Sequence, residues 1–189
     1  EMEERVDRAM PYGYFQTSIS TFHAFAGQIL KENGYQIGLT LDFRLMTEAE
    51  TIIFLKQNLF LFHLKYFRPL GNPNKFLESL LQHFSRLKDE DISPSEYSRW
   101  AQTQNSKFKT QKEKVDEEEL KKNLELANAH KIYEKLKTKE GVMDFSDLIS
   151  DILTLFRTRK NILKNYQNQF KYILVDEFQD TNFAQNTLA

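Results

Sequence analysis

Apolar side chains recur every three or four residues through most of the middle of this chain, which is the spacing of one face of an α-helix. Those of residues 48–67 are spread widely around the helix, which indicates contact on two sides, whereas residues 75–88 have a single apolar face. The helices predicted from this spacing cover residues 48–67, 75–88, 93–100 and 116–139. We therefore expect a helical body over about residues 45–141.

Two further helices are predicted from the residues that can cap them. Thr21 precedes a run with helical spacing that ends near Gly34, and its hydroxyl can accept a hydrogen bond from a free N–H of the first turn. Asp144, with Asp147 three residues later, stands in the same relation to a helix that runs through Phe156. We expect Thr21 and Asp144 to be N-caps.

One stretch has a different pattern and predicts a buried strand. Residues 172–175 are apolar without alternation and two of them are β-branched, as in a parallel strand covered by helices on both faces. Short extended pieces are predicted at residues 17–20 and 41–45, and we expect the strands 17–20 and 172–175 to lie near each other. The predicted fold class is mostly α with a small remnant of a parallel α/β sheet.

Two carboxylates, Asp176 and Glu177, directly follow the predicted strand. Ligands of open parallel α/β sheets bind at the carboxyl ends of the strands. Mg²⁺ takes oxygen ligands, usually one or two carboxylates plus phosphates of a substrate, and a second carboxylate can orient or deprotonate an attacking water. A second interpretation is that both acids only cap the helix that follows, because acidic residues are favoured at helix N-termini.

Composition adds few constraints to this picture. The 189 residues are 40% hydrophobic and 28% charged, which is ordinary for a globular protein. There is no cysteine, which excludes disulfides, thiolate metal sites and cysteine nucleophiles, and no apolar run approaches the ~20 residues of a membrane span. The net charge of −1 gives no indication that the protein binds nucleic acid. A polar stretch that follows Trp100 is either a solvated loop or an edge that contacts phosphates, and both interpretations stay open. Its lysines are Lys107, Lys109, Lys112 and Lys114.

Three strings of residues resemble motifs of one family. Asp176-Glu-Phe-Gln-Asp-Thr-Asn182 resembles the Walker B segment of superfamily 1 DNA helicases of the UvrD, Rep and PcrA type. Thr21-Phe-His-Ala-Phe25 is similar to their Thr-Phe-His-Ser motif, with Ala24 in place of the serine. Asp144-Phe-Ser-Asp-Leu-Ile149 resembles their Asp-Phe-x-Asp-Leu-Leu motif, with Ser146 where aspartate is common. The three strings occur in the order of the family.

The resemblance implies a division of the chain and an activity. Residues 1–44 and 142–189 would be part of a RecA-like motor domain of the P-loop NTPase class, and residues 45–141 an inserted helical subdomain. The full-length protein to which the chain would belong would be a helicase or translocase. It would use ATP and Mg²⁺ to move three-prime to five-prime on single-stranded DNA. Its partners would be single-stranded DNA and junctions of single- and double-stranded DNA, in the cytoplasm with the nucleoid and not at a membrane.

The same resemblance implies roles for particular residues. Asp176 would bind Mg²⁺, and Glu177 would position or activate the attacking water. Gln179 and Asp180 would also lie at the nucleotide and link its state to neighbouring elements. The residues expected to contact DNA are Thr21, Phe22, His23, Asp144 and Phe145.

A phosphate-binding loop is not found in the sequence. Such a loop needs Gly-x-x-x-x-Gly-Lys-Ser/Thr, and the six glycines form no such string. We therefore expect the chain to be a fragment that does not hydrolyse ATP alone. Two alternatives stay open: the motor subunit of a helicase–nuclease recombination complex, and a non-catalytic helical interaction module in which Asp176 and Glu177 are only caps.

Overall fold

The computed structural model describes residues 2–9, 18–40, 42–67, 73–111 and 117–189. The side chains of residues 2, 3, 7, 73 and 105–111 are not described. Predictions that fall on Glu1, Thr17, Leu41, residues 68–72, Lys112, Lys114 or Asp116 lie outside the described residues, as do the side chains of Lys107 and Lys109.

Helices make up most of the described chain. The α-helices are α1 (Met2–Ala9), α2 (Phe22–Asn33), α3 (Glu48–Asn58), α4 (Pro73–Asp89), α5 (Pro94–Gln111), α6 (Glu117–Glu140), α7 (Phe145–Thr158), α8 (Lys160–Gln169) and α9 (Phe183–Leu188). Single 3₁₀ turns cover Gly34–Ile37, Leu59–Phe62 and Phe178–Asp180, and the strands are β1 (Arg44–Leu45) and β2 (Val142–Met143). None of the helices in the described ranges has the length and apolar character that crossing a membrane requires.

The helix predicted at residues 48–67 is shorter than expected. α3 ends at Asn58, and one 3₁₀ turn follows it before the backbone leaves helical geometry. The carboxylate of Glu125 on α6 then accepts hydrogen bonds of 2.8 to 3.1 Å from the backbone N–H groups of residues 65–67. The loop therefore obtains its hydrogen bonds from a distant side chain, which the periodicity of the sequence could not show.

The sheet consists of two short parallel strands. Arg44 lies opposite Val142 and Leu45 lies opposite Met143. The extended piece predicted at residues 41–45 is thus confirmed at its last two residues. Because each strand has only two residues, the sheet contributes little to the fold, which is mostly helical.

The strand predicted at residues 172–175 is wrong. These residues have no regular secondary structure, and the side chains of Tyr172 and Leu174 are 92% and 98% exposed. A buried parallel strand needs hydrogen-bonding neighbours at its edges and helices over its faces, and the described residues supply neither here. Residues 18–20 are not a strand either, so the predicted neighbouring of strands 17–20 and 172–175 is also wrong.

Two groups of buried apolar side chains fill the interior. The first core lies among α3, α4, α5 and α6, and the second lies among α2, α7, α8 and α9. Fully buried members of the first core include Leu55, Phe62, Leu77, Phe84 and Tyr133. Almost fully buried members of the second core include Ile29, Leu30, Ile152, Leu155 and Ala184. The division into two domains near residues 45 and 141 stays a prediction.

Helix α7 occupies the centre of the second core. It packs against α2, α8, α9 and the 3₁₀ turn Gly34–Ile37, and it also contacts α4 of the first core. Its face toward the core includes Ile152 and Leu155, both with no exposed surface. Truncation of such a residue to alanine typically costs about 2–5 kcal/mol. α7 therefore joins α2, which begins at the string Thr21–Phe25, to α9, which follows the string that ends at Asn182.

Candidate functional site

The first motif string in chain order, Thr21–Phe25, forms the start of α2. The hydroxyl of Thr21 accepts a hydrogen bond from the Ala24 N–H at 3.1 Å, which confirms the predicted N-cap. Phe22 packs against the second core, whereas Thr21 stays exposed. The half-buried His23 ring lies edge-on to the ring of Phe145, with 6.0 Å between their centroids. Two of the predicted DNA contacts, from separate motifs, therefore meet here.

Burial and one carboxylate set the charge of His23. Burial lowers the pKa of His23 below its ordinary value of 6.5, and Asp89 at the end of α4 partly offsets this effect by favouring the imidazolium form. The pKa of Asp89 is raised by its own burial, against the opposing effect of His23. Asp89 also accepts a 2.7 Å hydrogen bond from Asn182 Nδ2. A residue that the sequence did not single out thus interacts with two motif strings.

The second motif string opens α7 with a reciprocal cap. The Asp147 N–H donates to Asp144 Oδ1 at 3.0 Å, and the Asp144 N–H donates to Asp147 Oδ2 at 2.7 Å. This confirms Asp144 as the N-cap. Phe145, the next residue, is 53% exposed. Adjacent residues of this motif therefore face opposite environments, one the interior and one the surface.

The carboxylate of Asp144 is fully engaged inside the protein, with only 6% of the residue exposed. It accepts hydrogen bonds from the Tyr133 hydroxyl at 2.8 Å, from Lys137 Nζ at 2.8 Å and from Lys88 Nζ at 3.1 and 3.2 Å. Asp144 is predicted to be both an N-cap and a contact to DNA, but within the described residues its carboxylate has no free face for the second role. A direct contact of Asp144 with DNA would require these bonds to break.

Asp144 belongs to a buried group of charges, here named the ionic cluster: Lys88, Glu134, Lys137, Asp144 and Asp147. Each ammonium group lies 3.0 Å from Glu134, and the distances to Asp147 are 2.5 Å from Lys88 and 2.6 Å from Lys137. Burial alone would lower the pKa of Lys88, but the three carboxylates outweigh it and raise that pKa well above 10.5. Burial would raise the pKa of Asp144, and the two lysines lower it instead.

The ionic cluster has the ligands of a metal site but is already neutralised in another way. Oxygens of Glu134, Asp144 and Asp147 lie within 4.8 Å of one another. Because both lysine ammonium groups contact all three carboxylates, the lysines take the place of a cation. The cluster therefore ties α4 and α6 to the start of α7.

A fourth acid, Asp151, lies one turn beyond the ionic cluster. It forms no hydrogen bond or ion pair with any residue that the structure describes. Burial, reinforced by Asp147, raises the pKa of Asp151 to about 7. Both acids line a cavity of about 170 Å³. Asp151 is thus a carboxyl group that the two lysines of the ionic cluster do not hold in the ionised form.

The third motif string begins with residues 176–180, here named the acidic turn. Asp176 and Glu177 form a turn, a 3₁₀ turn follows, and the side chains of all five residues are exposed. Glu177 has left-handed backbone with φ 48°, its N–H donates to Asp176 Oδ1 at 3.1 Å, and its carboxylate accepts from the Gln179 side chain. Within the described chain, no lysine or arginine forms an ion pair with Asp176, Glu177 or Asp180.

Asn182, and not the acidic turn, caps α9. The Asn182 side chain accepts from the Gln185 N–H at 2.8 Å, and the Gln185 side chain accepts from the Asn182 N–H at 3.3 Å. Asp176 and Glu177 make no hydrogen bond to α9 among the described residues. The interpretation of these two acids as caps of the helix that follows is therefore wrong.

The structure brings two of the predicted site residues into contact, His23 and Phe145. They meet at the junction of α2 and α7. The described residues show no hydrogen bond or ion pair between the acidic turn and Thr21, Phe22, His23 or Phe145. Among the described residues, α9 packs on α7, whose first residue is Phe145.

Sequence reasoning missed the lysines of the ionic cluster, although a signal was present. Lys88 lies four residues after Phe84, and Lys137 lies four residues after Tyr133, so each falls on the apolar face of its helix. A lysine is almost never buried unless it is paired. Lysines at apolar positions thus indicate buried acids elsewhere in the chain.

Comparison with known proteins agrees with the motif strings. Residues 1–189 match the model of the family described as UvrD/REP helicase N-terminal domain. The chain is 31% identical to the ATP-dependent DNA helicase PcrA of Bacillus subtilis (strain 168), over 100% of the chain and 22% of that protein. It is 27% identical to DNA helicase II of Haemophilus influenzae, over 98% of the chain and 23% of that protein. The chain thus spans less than a quarter of the length of these curated relatives.

Proposed function

Because the chain belongs to the UvrD/REP helicase N-terminal domain family, we propose that it is part of an ATP-dependent DNA helicase. The proposed activity is movement three-prime to five-prime on single-stranded DNA, with unwinding of duplex DNA at junctions. The observation that carries the proposal is the contrast among the acids of the motif strings. Asp144 and Asp147 are buried and paired, whereas Asp176 and Glu177 are exposed and pair with no lysine or arginine of the described chain.

The acidic turn is proposed as the part of the site that faces ATP and Mg²⁺. The donor chemistry fits, because Asp176 offers exposed carboxylate oxygens and Mg²⁺ prefers oxygen ligands. When bound, Mg²⁺ would neutralise charge on the phosphates. Glu177 would position the attacking water, and Gln179 and Asp180 would respond to the nucleotide. The Gln179 side chain donates a hydrogen bond to the Glu177 carboxylate, so a change at one of these two residues can reach the other.

The proposed DNA face consists of Thr21, Phe22, His23 and Phe145. A hydroxyl and an imidazole at a helix start suit contacts to the DNA backbone, and the exposed Phe145 ring suits stacking on a base. Phe22 also packs into the second core, so only part of its ring is free for DNA. Asp144 is proposed to act indirectly, by fixing the start of α7 and therefore the position of Phe145.

The sharpest test of the acidic turn uses the full-length protein. Glu177→Gln removes the charge that would act on water, and we expect ATP turnover to fall about 10²–10⁴-fold, the usual contribution of such a group. Single-stranded DNA affinity and the melting temperature should stay unchanged, because the side chain is exposed. Glu140→Gln, which neutralises an exposed acid at the end of α6, is the matched control. Turnover within about threefold of wild type would reject the assignment.

The DNA face is tested separately with a labelled oligonucleotide. Phe145→Ala should weaken binding by about 5- to 150-fold, which corresponds to the ~1–3 kcal/mol of one base–aromatic stack. Tyr35→Ala is the control, since Tyr35 is an aromatic side chain of similar exposure away from the face. Equal affinities for both variants would exclude Phe145 as a DNA contact.

We also expect the 189-residue chain alone to show no ATP turnover, since its sequence lacks a phosphate-binding loop.

A further inference from the structure

The corner between α4 and α5 reaches two elements of the second core. Lys88 joins the ionic cluster at the start of α7. Asp89 accepts the 2.7 Å hydrogen bond from Asn182 at the start of α9. Asp91 is ion-paired with Arg157 near the end of α7. Of these three contacts, the one made by Asp89 reaches the helix that follows the acidic turn.

We propose that Asp89 is a positioning residue that couples the DNA face to the acidic turn through Asn182. The proposal rests on the function proposed above, since it takes His23 as a DNA contact and the acidic turn as a nucleotide site. Its geometric basis is the Asp89–Asn182 hydrogen bond, which is part-buried. Asn182 caps α9 and follows the last residue of the acidic turn by two positions, so a shift of Asn182 is passed directly to that turn.

The second link is the charge interaction between Asp89 and His23, whose helices α4 and α2 both pack on α7. The carboxylate favours the imidazolium form of His23, and His23 favours the ionised form of Asp89. A DNA phosphate beside His23 would favour the imidazolium further, because an opposite charge stabilises the charged form. The imidazolium would then compete with Asn182 for the charge of Asp89. Occupancy of the DNA face would thus change the strength of the bond that holds the start of α9.

Substitutions of Asp89 separate its charge from its hydrogen bond. Asp89→Asn keeps the shape and an acceptor oxygen for Asn182 but removes the charge that acts on His23. Asp89→Ala removes both. Glu78→Gln is the matched control, because Glu78 lies on the same helix, is exposed and forms no side-chain hydrogen bond among the described residues. If the alanine variant does not fold, the asparagine variant still tests the charge.

The first readout is ATP turnover of the full-length protein with and without single-stranded DNA. We expect Asp89→Ala to lower the stimulation by DNA about tenfold, within the range of about 5- to 150-fold for coupling between sites. Asp89→Asn should lower it less, and Glu78→Gln should not change it. Turnover without DNA should fall by a smaller factor than turnover with DNA. Unchanged stimulation, or an equal loss of turnover with and without DNA, would overturn the proposal, the latter because it indicates a purely structural role.

The second readout needs neither ATP nor DNA, so it separates this proposal from the proposed function. In an NMR titration of the 189-residue chain, the side-chain amide of Asn182 should follow the titration of His23, with a shared midpoint below 6.5. Asp89 also feels Glu90 and Lys88, whereas α7 presents the uncharged Phe145 to His23. In Asp89→Ala the midpoint should fall and Asn182 should stop responding. An Asn182 signal in the wild type that ignores His23 would overturn the link even in an active helicase.

Discussion

The ionic cluster and the acidic turn contain the same kind of side chain in opposite settings. Asp144 and Asp147 are 6% and 5% exposed and contact two lysines, whereas Asp176 and Glu177 are exposed and contact none in the described chain. In the sequence Asp144 and Asp176 each open a motif string, and each directly follows a hydrophobic residue. Burial therefore distinguishes acids that hold helices together from acids that are free to meet a ligand.

The buried and the exposed acids should differ in how much their charges contribute to the free energy of unfolding. Removal of one partner from a buried ion pair leaves an uncompensated charge in the interior, which costs about 3–5 kcal/mol. Removal of an exposed charge usually changes stability by less than about 0.5 kcal/mol. The two regions should thus separate in unfolding experiments even where their sequences look alike.

The largest effect is expected from Lys137→Met. The change leaves Asp144 and Asp147 with Lys88 alone, so we expect the free energy of unfolding to fall by about 3–5 kcal/mol. Urea denaturation followed by circular dichroism measures it. Lys135→Met, on an exposed position of the same helix, should change stability by less than about 0.5 kcal/mol. Equal stabilities of the two variants would mean that the ionic cluster does not hold the fold.

The next effect concerns Asp151 and depends on pH. Its pKa of about 7 lies above that of an unfolded chain, so the folded protein keeps a proton that the unfolded chain loses between about pH 4 and pH 7. Stability therefore falls as the pH rises through that window. Asp151→Asn should remove this fall and stabilise the chain by about 2–4 kcal/mol at pH 8, with little effect at pH 4.

Thermal denaturation at several pH values would measure this difference. Glu140→Gln serves as the control, because its exposed side chain should give the same pH dependence as the wild type. A stability gain for Asp151→Asn that does not vary with pH would show that packing, and not the charge of Asp151, is responsible.

A smaller effect is expected at the start of α2. Thr21→Ala removes the hydroxyl that accepts from the Ala24 N–H, and loss of such a cap costs about 1 kcal/mol. Thr21→Ser keeps an acceptor and should retain most of that stability. Urea midpoints of the three proteins give the comparison. A serine variant as unstable as the alanine variant would argue against the cap.

The smallest effect is expected in the acidic turn. Asp176→Asn and Glu177→Gln should each change the free energy of unfolding by less than about 0.5 kcal/mol, because both side chains are exposed and unpaired with cations in the described chain. A loss above 2 kcal/mol in either variant would place that acid with the buried ones and remove the contrast on which the proposed site depends.

The helices and their caps could be predicted from the sequence because their causes are local. The Thr21 and Asp144 caps each bond to an N–H only three residues away. A strand at residues 172–175 could not be judged in this way, since its existence depends on neighbours that lie elsewhere in a chain. The exposure of Tyr172 and Leu174 shows what an apolar run becomes without those neighbours.

Of the candidate site, the sequence could likewise show only what depends on residues close together in the chain. The motif strings include the acidic turn, whose role stays a prediction. The contact between His23 and Phe145 brings the other two strings together. The ionic cluster was not foreseen, because Lys88 and Asp144 are 56 residues apart and each looks ordinary alone. The link from Asp89 to Asn182 spans 93 residues and has no local sequence signal at all.

The Glu125 carboxylate that accepts from the N–H groups of residues 65–67 has a consequence for solvent exchange. These amides lie in a loop, yet their protons are bonded, so deuterium should replace them as slowly as those of a helix until Glu125 moves away. One side-chain motion on α6 would release all three protons together. Their exchange should therefore be cooperative, and Glu125→Ala, which removes both acceptor oxygens, should accelerate the exchange of all three amides.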